Sequence, residues 1–340
     1  MSNSKTDQYI LITGGAGFIG SNFIHYFLEQ NPQQHIVNLD KLTYAGNLGN
    51  LEEVITNERH KFIQGDICDR NLVNSIFEQY GISGVIHFAA ESHVDNSIDA
   101  PDDFIKTNIE GTFVLLEAAR KYWSEKDEYL KNNRLHHIST DEVYGSLGDE
   151  GYFTERTAYA PNSPYSASKA AADFLVRSYH HTYGLNVVTT NCSNNYGPRQ
   201  HDEKLIPTII RKALAGDKIP IYGDGSNVRD WLYVEDHCEA LSLVFKHGRA
   251  GETYIIGGNS EFNNLYIART LCALLDEINP RQGGNYAELI SFVKDRLGHD
   301  YRYAIDSSKI ERELGWKPSE DFSSGIRKTI EWYIKKYQKV

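Results

Sequence analysis

The chain has little cysteine and no pattern to what it has. Cys68, Cys192, Cys238 and Cys272 lie far apart and form no C-x-x-C pair. That argues against a disulfide framework or a thiolate zinc site, and for buried thiols in a reducing compartment. Excess positive charge is missing too: 35 Lys and Arg face 46 Asp and Glu, for a formal net charge of −11. Such a balance argues against a nucleic-acid surface and disfavours anionic membranes, while leaving room for a local basic pocket. No apolar run approaches the ~20 residues of a membrane helix. There is no internal repeat and no low-complexity tract. The strand-like "YILITGG" begins within about ten residues of Met1, which leaves no room for a cleavable leader, so the cytoplasm is the expected compartment.

What the chain does have suits a large globular protein. Its 340 residues are 40% apolar and 24% charged, enough for one large domain or two modest ones. Continuous apolar runs, as expected of parallel strands covered on both faces, stand at 9–13, 35–40, 61–66, 84–89, 135–140 and 186–191, with a later one at 253–258. Helical patterns such as 21–30 and 109–123 separate them. The alternation predicts an α/β fold, a Rossmann-like doubly wound parallel sheet with a smaller, discontinuous C-terminal substrate-binding lobe. Residues 1–193 and 231–260 are expected to form the dinucleotide-binding domain, 194–230 and 261–330 the smaller lobe, and 331–340 a C-terminal tail. In that lobe the Gly-, Pro- and Asn-rich loops "NCSNNYGPRQ" and "PIYGDGSNVRD" surround a helix at 204–216. The polar stretch "WSEKDEYLKNNR" (123–134) reads as a surface loop.

"ITGGAGFIGS" (12–21) follows the first strand and opens the first helix, with Gly14, Gly17 and Gly20 spaced G-x-x-G-x-x-G. Small residues there let the backbone turn sharply and approach a pyrophosphate, whose charge a helix N-terminus favours. Asp40 ends the second strand, where a carboxylate accepts both ribose hydroxyls and repels a 2′-phosphate. NAD is therefore expected over NADP. Further on, "SPYSASKAAADFLVRSYHHTYG" (163–184) puts Tyr165 and Lys169 four apart on one helix face. With the glycine loop and "STDEVYG" (139–145), this pair resembles the extended short-chain dehydrogenase/reductase family, over nearly the whole chain. The resemblance implies that Tyr165 moves the proton of a substrate hydroxyl during hydride transfer. Bringing a tyrosine from about 10 to about 7 takes roughly 4 kcal/mol. A positive charge ~4 Å away at an effective dielectric of ~20 supplies that much. Lys169 and the oxidised nicotinamide are expected to do so, with no metal.

Oxidation alone would need only Tyr165, Lys169 and a hydroxyl donor such as Thr140. The adjacent acids Asp141 and Glu142 call for another step. Once a sugar C4 hydroxyl becomes a ketone, C5–H becomes acidic and a C6 hydroxyl can leave by β-elimination. That step needs a base at C5 and an acid at C6. Two neighbouring carboxyls suit it, because repulsion raises one pKa while the other group stays ionised. Hydride return to C6 would then give a 4-keto-6-deoxy sugar.

The motifs "AAESHVDNS" (89–97), "CSNNYGPRQ" (192–200), "EKLIP" (203–207), "IYGDGSNVRDWLYVEDH" (221–237) and "DRLGHDYRYAID" (295–306) narrow the resemblance to the nucleotide-sugar 4,6-dehydratases of this family, in particular those acting on dTDP-glucose. By that likeness Asp141 is the acid at C6, Glu142 the base at C5, and Thr140 a hydrogen-bond partner of the C4 oxygen. The same likeness assigns Phe18, Ile19, Lys41, Thr43, Asp66, Ile67, Ala89, Ala90, Thr107 and Asn195 to the cofactor. To the nucleotide sugar it assigns Ser92, Asn194, Lys204, Leu205, Pro220, Ile221, Tyr222, Arg229, Asn264, Arg296 and His299. Lys204, Arg229 and Arg296 could offset a diphosphate in an otherwise acidic protein. Leu297 departs from the family's usual proline. His93, beside the pocket, reads either as a site residue or as a satisfied structural histidine, and the pairs His136–His137 and His180–His181 read as structural.

A 4-epimerase would give the acid pair no task, and a glucuronate decarboxylase needs no acid at C6. Dehydratases of other nucleotide sugars share the chemistry, and a non-catalytic NAD-binding regulator would not need to keep all five reactive residues. Helices at about 103–121 and 165–183 carry apolar residues on more than one face, among them Phe113, Leu115, Leu116, Ala171, Phe174, Leu175 and Tyr179. A homodimer packed through these helices is the expectation.

Overall fold

The computed structural model describes residues 8–124, 133–295 and 299–338. Its strands, in chain order, are β1 (Tyr9–Thr13), β2 (His35–Asp40), β3 (His60–Gln64), β4 (Ile82–His87), β5 (Arg134–Thr140), β6 (Val187–Cys192), β7 (Asn194–Tyr196), β8 (Ile219–Tyr222), β9 (Val228–Tyr233), β10 (Thr253–Ile256), β11 (Glu261–Asn263) and β12 (Ile290–Val293). The helices are α1 (Phe18–Gln30), α2 (Arg70–Tyr80), α3 (Val94–Asp99), α4 (Pro101–Phe104), α5 (Thr112–Ser124), α6 (Pro164–Tyr183), α7 (Leu205–Ala215), α8 (Val234–His247), α9 (Asn264–Ile278), α10 (Ser308–Leu314) and α11 (Phe322–Gln338). A π-helical turn, Ile105–Gly111, leads into α5.

The main sheet has seven strands in the order β10-β6-β5-β4-β1-β2-β3, every neighbouring pair parallel. This is the doubly wound order, and it reverses direction between β1 and β4. Both faces are covered. Phe23, Phe27, Leu241 and Val244 of α1 and α8 pack on one side, and Ile76, Leu115, Leu116 and Val176 of α2, α5 and α6 on the other. That two-sided cover is why the strands read as continuous apolar runs. The smaller lobe has its own core, built from α7, α9 and α11 around Ile209, Leu271 and Ile330. It contains a three-stranded sheet (β11-β9-β7) and a parallel pair (β12-β8).

Several expectations change. The segments read as loops after residue 193 contain β7, β8 and β9. β7 and β8 are three and four residues long and lie among glycines and asparagines, while β9 carries the charged pair Arg229–Asp230 and so gives no continuous apolar run. The first residues assigned to the return into the dinucleotide domain, 231–233, belong instead to β9 and the small sheet, and the return begins with α8. The expected tail from 331 is no tail: α11 continues to Gln338 and buries Tyr333 completely. The surface loop expected at 123–134 begins inside the core, since Trp123 is fully buried and donates from Nε1 to the Ile82 carbonyl (2.8 Å). Arg134 already belongs to β5, and residues 125–132 lie outside the described residues. Cys192, Cys238 and Cys272 are buried free thiols, and Cys68 is half-buried. Of the apolar residues expected at a dimer face, Leu115, Leu116 and Tyr179 are buried within the chain, while Phe174 is 58% exposed. Among the described residues no helix is long and apolar enough to cross a membrane.

Candidate active site

The C-terminal ends of β1, β4, β5 and β6 open on one cleft at the point where strand order reverses. At one end lies the glycine loop. Gly14 has φ +72, and a Cβ there would strike the Ala89 backbone at 2.6 Å. A Cβ on Gly20 would lie 2.3 Å from the Gly14 carbonyl oxygen. At Gly17 a Cβ would meet only that same oxygen, at 3.3 Å, and otherwise project into the cleft. Gly17 caps α1 without a side-chain hydrogen bond, so the first-turn N–H groups face the cleft. Asp40 is buried, with Oδ2 accepting from the Ala16 N–H and Oδ1 from the Leu42 N–H, both at 2.8 Å. Each oxygen retains acceptor capacity for a ribose hydroxyl. Burial pushes its carboxyl up, and the two backbone donors oppose the shift. The loop and Asp40 together fit a dinucleotide. Lys41 pairs with Asp66 at 2.9 Å beside them. All the residues expected to hold the cofactor line this cleft, from Phe18, Ile19 and Thr43 to Ile67, Ala89, Ala90, Thr107 and Asn195.

At the other end β5 stops at Thr140 and passes directly into a tight turn, Asp141–Tyr144, where the Thr140 hydroxyl accepts from the Glu142 N–H (3.2 Å). The turn puts the neighbouring acids at different depths. Asp141 is 2% exposed and Glu142 half-buried. Thr140 Oγ1 donates to Asp141 Oδ1 at 3.4 Å, while Asp141 Oδ2 is buried with no hydrogen-bond partner among the described residues. Burial first, then the charges of Glu142 and Asp230, push the Asp141 carboxyl well above its ordinary range against the opposing pull of Arg229. A carboxyl in that position holds its proton beside a second carboxyl.

Tyr165 and Lys169 arrive on α6. Ser163 and Ser166 form a reciprocal capping box, Pro164 occupies the first turn, and Gly184 ends the helix in a left-handed conformation (φ 70). Burial, then Glu142 and Cys192, hold Tyr165 well above its usual value. The Thr140 side chain pulls the pKa of the Tyr165 hydroxyl down. Lys169 Nζ donates to the Ile138 carbonyl (2.8 Å), and burial lowers its own pKa.

The residues expected to hold a nucleotide sugar divide. Ser92, Asn194 and Lys204 line the cleft, and Lys204 Nζ reaches the Ser92 carbonyl at 3.3 Å. Leu205, Pro220, Ile221, Tyr222, Asn264 and His299 are in the smaller lobe and outside the lining: Leu205 starts α7, the next three lie on β8, and Asn264 opens α9. His299 Nδ1 pairs with Asp295 at 2.7 Å. Arg229, on β9, is buried with its guanidinium donating to the carbonyls of Val228, Asp300 and Tyr301 and stacked 4.2 Å over Tyr303. Arg296 and Leu297 lie outside the described residues.

Glu203 escaped sequence reasoning, although it precedes Lys204. It lies 3.8 Å from His93 Nε2, 3.6 Å from His201 Nδ1 and 4.0 Å from Lys204 Nζ, over the cleft. The density of charge in "HDEK" was the available signal. His93 also caps α3, accepting at Nδ1 from the Asn96 N–H (3.3 Å). His136 hydrogen-bonds Thr190 (3.1 Å) and His180 the Leu185 carbonyl (2.9 Å). The segment that carries Glu203 is pinned on two sides. Asn22 donates to the Pro198 carbonyl and Arg199 pairs with Glu53 at 3.3 Å, while Tyr333 and Tyr337 of α11 donate to the Gln200 carbonyl and to Asp202. Among the described residues no cluster of three His, Cys, Asp or Glu is placed to hold a metal.

The family model described as GDP-mannose 4,6 dehydratase matches residues 11–329. The dTDP-glucose 4,6-dehydratase of Salmonella typhimurium (strain LT2) is 58% identical over 335 residues, covering 96% of this chain and 92% of that protein. The chain belongs to the dTDP-glucose 4,6-dehydratase family, within the extended short-chain dehydrogenases/reductases. Another member, from Neisseria gonorrhoeae, is 56% identical over 333 residues, covering 96% of this chain and 95% of its own. A solved member, the Streptomyces venezuelae dTDP-glucose 4,6-dehydratase with NAD bound, superposes with a TM-score of 0.88 at 44% identity, covering 97% of this chain and 98% of its own. The UDP-glucose 4-epimerase of Thermotoga maritima shares the fold (TM-score 0.85, 97% of this chain and all of its own) at only 28% identity.

Proposed function

We infer that this protein is an NAD-dependent hydro-lyase that converts dTDP-glucose to dTDP-4-keto-6-deoxyglucose. The observation that carries the reading is the unequal acid pair: Asp141 buried with a raised pKa, next to a shallower Glu142, at the mouth of a Tyr165–Lys169–Thr140 site. When bound, NAD supplies a reversible hydride acceptor, taking hydride from C4 of the sugar and giving it back at C6. Tyr165 takes the proton of the C4 hydroxyl, with Thr140 holding the oxygen. Glu142 removes the C5 proton and gives a proton back to C5 once C6 has taken the hydride. Asp141 gives its proton to the departing C6 hydroxyl, which leaves as water. In this division of labour Lys204 and Ser92 face the nucleotide sugar across the cleft, and Arg229 belongs to the wall behind it. The small lobe, with Asn264 at the start of α9, is assigned to the nucleotide.

We also read the chain as a homodimer through α5 and α6, where Phe174 of α6 and Ile105, in the π-helical turn before α5, remain exposed. Light scattering tests that reading, and a monomer at micromolar concentration rejects it. The reaction is tested by supplying NAD with dTDP-glucose and, in parallel, GDP-mannose. Loss of one water from the dTDP sugar is expected by mass. An epimerised hexose, or preferential dehydration of the GDP sugar, would overturn the assignment.

A further inference from the structure

Behind the reacting groups lies a buried carboxyl that the chemistry above does not use. Asp173 is four residues past Lys169 on α6, and Lys169 four past Tyr165, so the three occupy one buried face. Asp173 Oδ2 accepts hydrogen bonds from the hydroxyls of Ser139 and Tyr159, both at 2.9 Å, and from Asn191 Nδ2 at 3.2 Å. Its other oxygen lies 3.1 Å from Nε2 of the fully buried His137. Asn191 also donates to the Thr140 carbonyl (3.0 Å). One carboxyl thus ties the helix of Tyr165 and Lys169 to the end of the strand that delivers the acid pair.

A buried ammonium keeps its proton only where an anion compensates it. Asp173 is the leading charge opposing the loss of the Lys169 proton to burial. The other groups facing the pair are His87 from β4, His137 from β5, Cys192 from β6, and Tyr144 and Tyr159 from the segment between β5 and α6. Burial pushes both histidines down and so keeps them neutral. It pushes the Cys192 thiol up to about 12 and both phenols above their usual value. None of these supplies an anion near neutral pH.

We propose that Asp173 is a positioning residue for the reaction: it keeps Lys169 charged in the interior and fixes the end of β5 against α6. The proposal rests on the dehydratase reading above. Asp173→Asn keeps the shape and removes the charge. In protein carrying nitrogen-labelled lysine, NMR titration should show Lys169 losing its proton about one pH unit or more below the parent. kcat on dTDP-glucose falls about tenfold or more, with KM within about twofold, and the alkaline limb of kcat moves down with the lysine. Asp173→Glu retains the charge and the parent's Lys169 titration, and it carries the test if Asp173→Asn does not fold. A Lys169 titration unmoved in Asp173→Asn, or moved as far in Asp173→Glu, overturns the proposal. That titration needs no turnover, so a parent protein that fails to dehydrate dTDP-glucose would reject the functional reading separately.

Discussion

The two ends of the cleft each hold a buried aspartate, and they are treated in opposite ways. Asp40 has a backbone N–H on each oxygen, while Asp141 has one long contact from Thr140 and one oxygen with no partner among the described residues. Burial raises both carboxyls. At Asp40 the fixed donors oppose the shift, which suits a group that recognises hydroxyls without exchanging protons. At Asp141 the second carboxyl adds to it, which suits a group that must carry a proton to the reaction. One residue type is thus given two electrostatic settings according to which backbone amides reach it.

The strongest way to break this comparison is at the reactive end. Asp141→Asn and Glu142→Gln should each lower turnover by roughly 10²–10⁴, with different residues of activity. Glu142→Gln is expected to abolish exchange of the C5 hydrogen with solvent while bound NAD is still partly reduced. Asp141→Asn should let the 4-keto glucose species accumulate with its C6 hydroxyl in place. Loss of cofactor binding alone in both variants would refute the assigned roles.

At the recognition end the expected effect is smaller and lies in affinity. Asp40→Ala strips the ribose acceptor and leaves the Ala16 and Leu42 amides unpaired. A loss of about 1–3 kcal/mol follows, read as weaker NAD binding by calorimetry together with reduced preference over NADP. Unchanged preference would detach Asp40 from the ribose.

A third prediction turns on pH. A carboxyl whose folded pKa is raised above its unfolded value of 3.8 contributes stability below that value, and loses it as pH rises through the folded pKa. Asp141→Asn, which has no proton to lose, should therefore gain in Tm relative to the parent as pH rises from 3.8 toward neutrality. A constant difference across that range would mean that Asp141 is ionised throughout. The smallest effect is a control remote from either end. Gly184→Ala, at φ 70, should cost about 1 kcal/mol of stability while leaving kcat intact.

The main sheet was legible because its strands are covered on both faces and so announce themselves as apolar runs. The glycine loop, Tyr165, Lys169 and the acid pair, which meet in one cleft, were legible because the chemistry proposed for them ties residue type to spacing. The small lobe was not: β7 and β8 are brief, β9 is broken by charge, and their pairing depends on partners far along the chain, β9 with β11 for instance. Sequence also could not give depth. Nothing in "TDE" says that the first acid is sealed and the second is not, because that follows from a single tight turn after β5.

The segment over the cleft, held by Asn22 and Glu53 on one flank and by Tyr333 and Tyr337 on the other, makes the chain's final helix a structural tie for a reaction that happens far from it in sequence. Shortening α11 would remove no group that lines the cleft, yet it would take away the two tyrosines that hold the segment bearing Glu203 and Lys204.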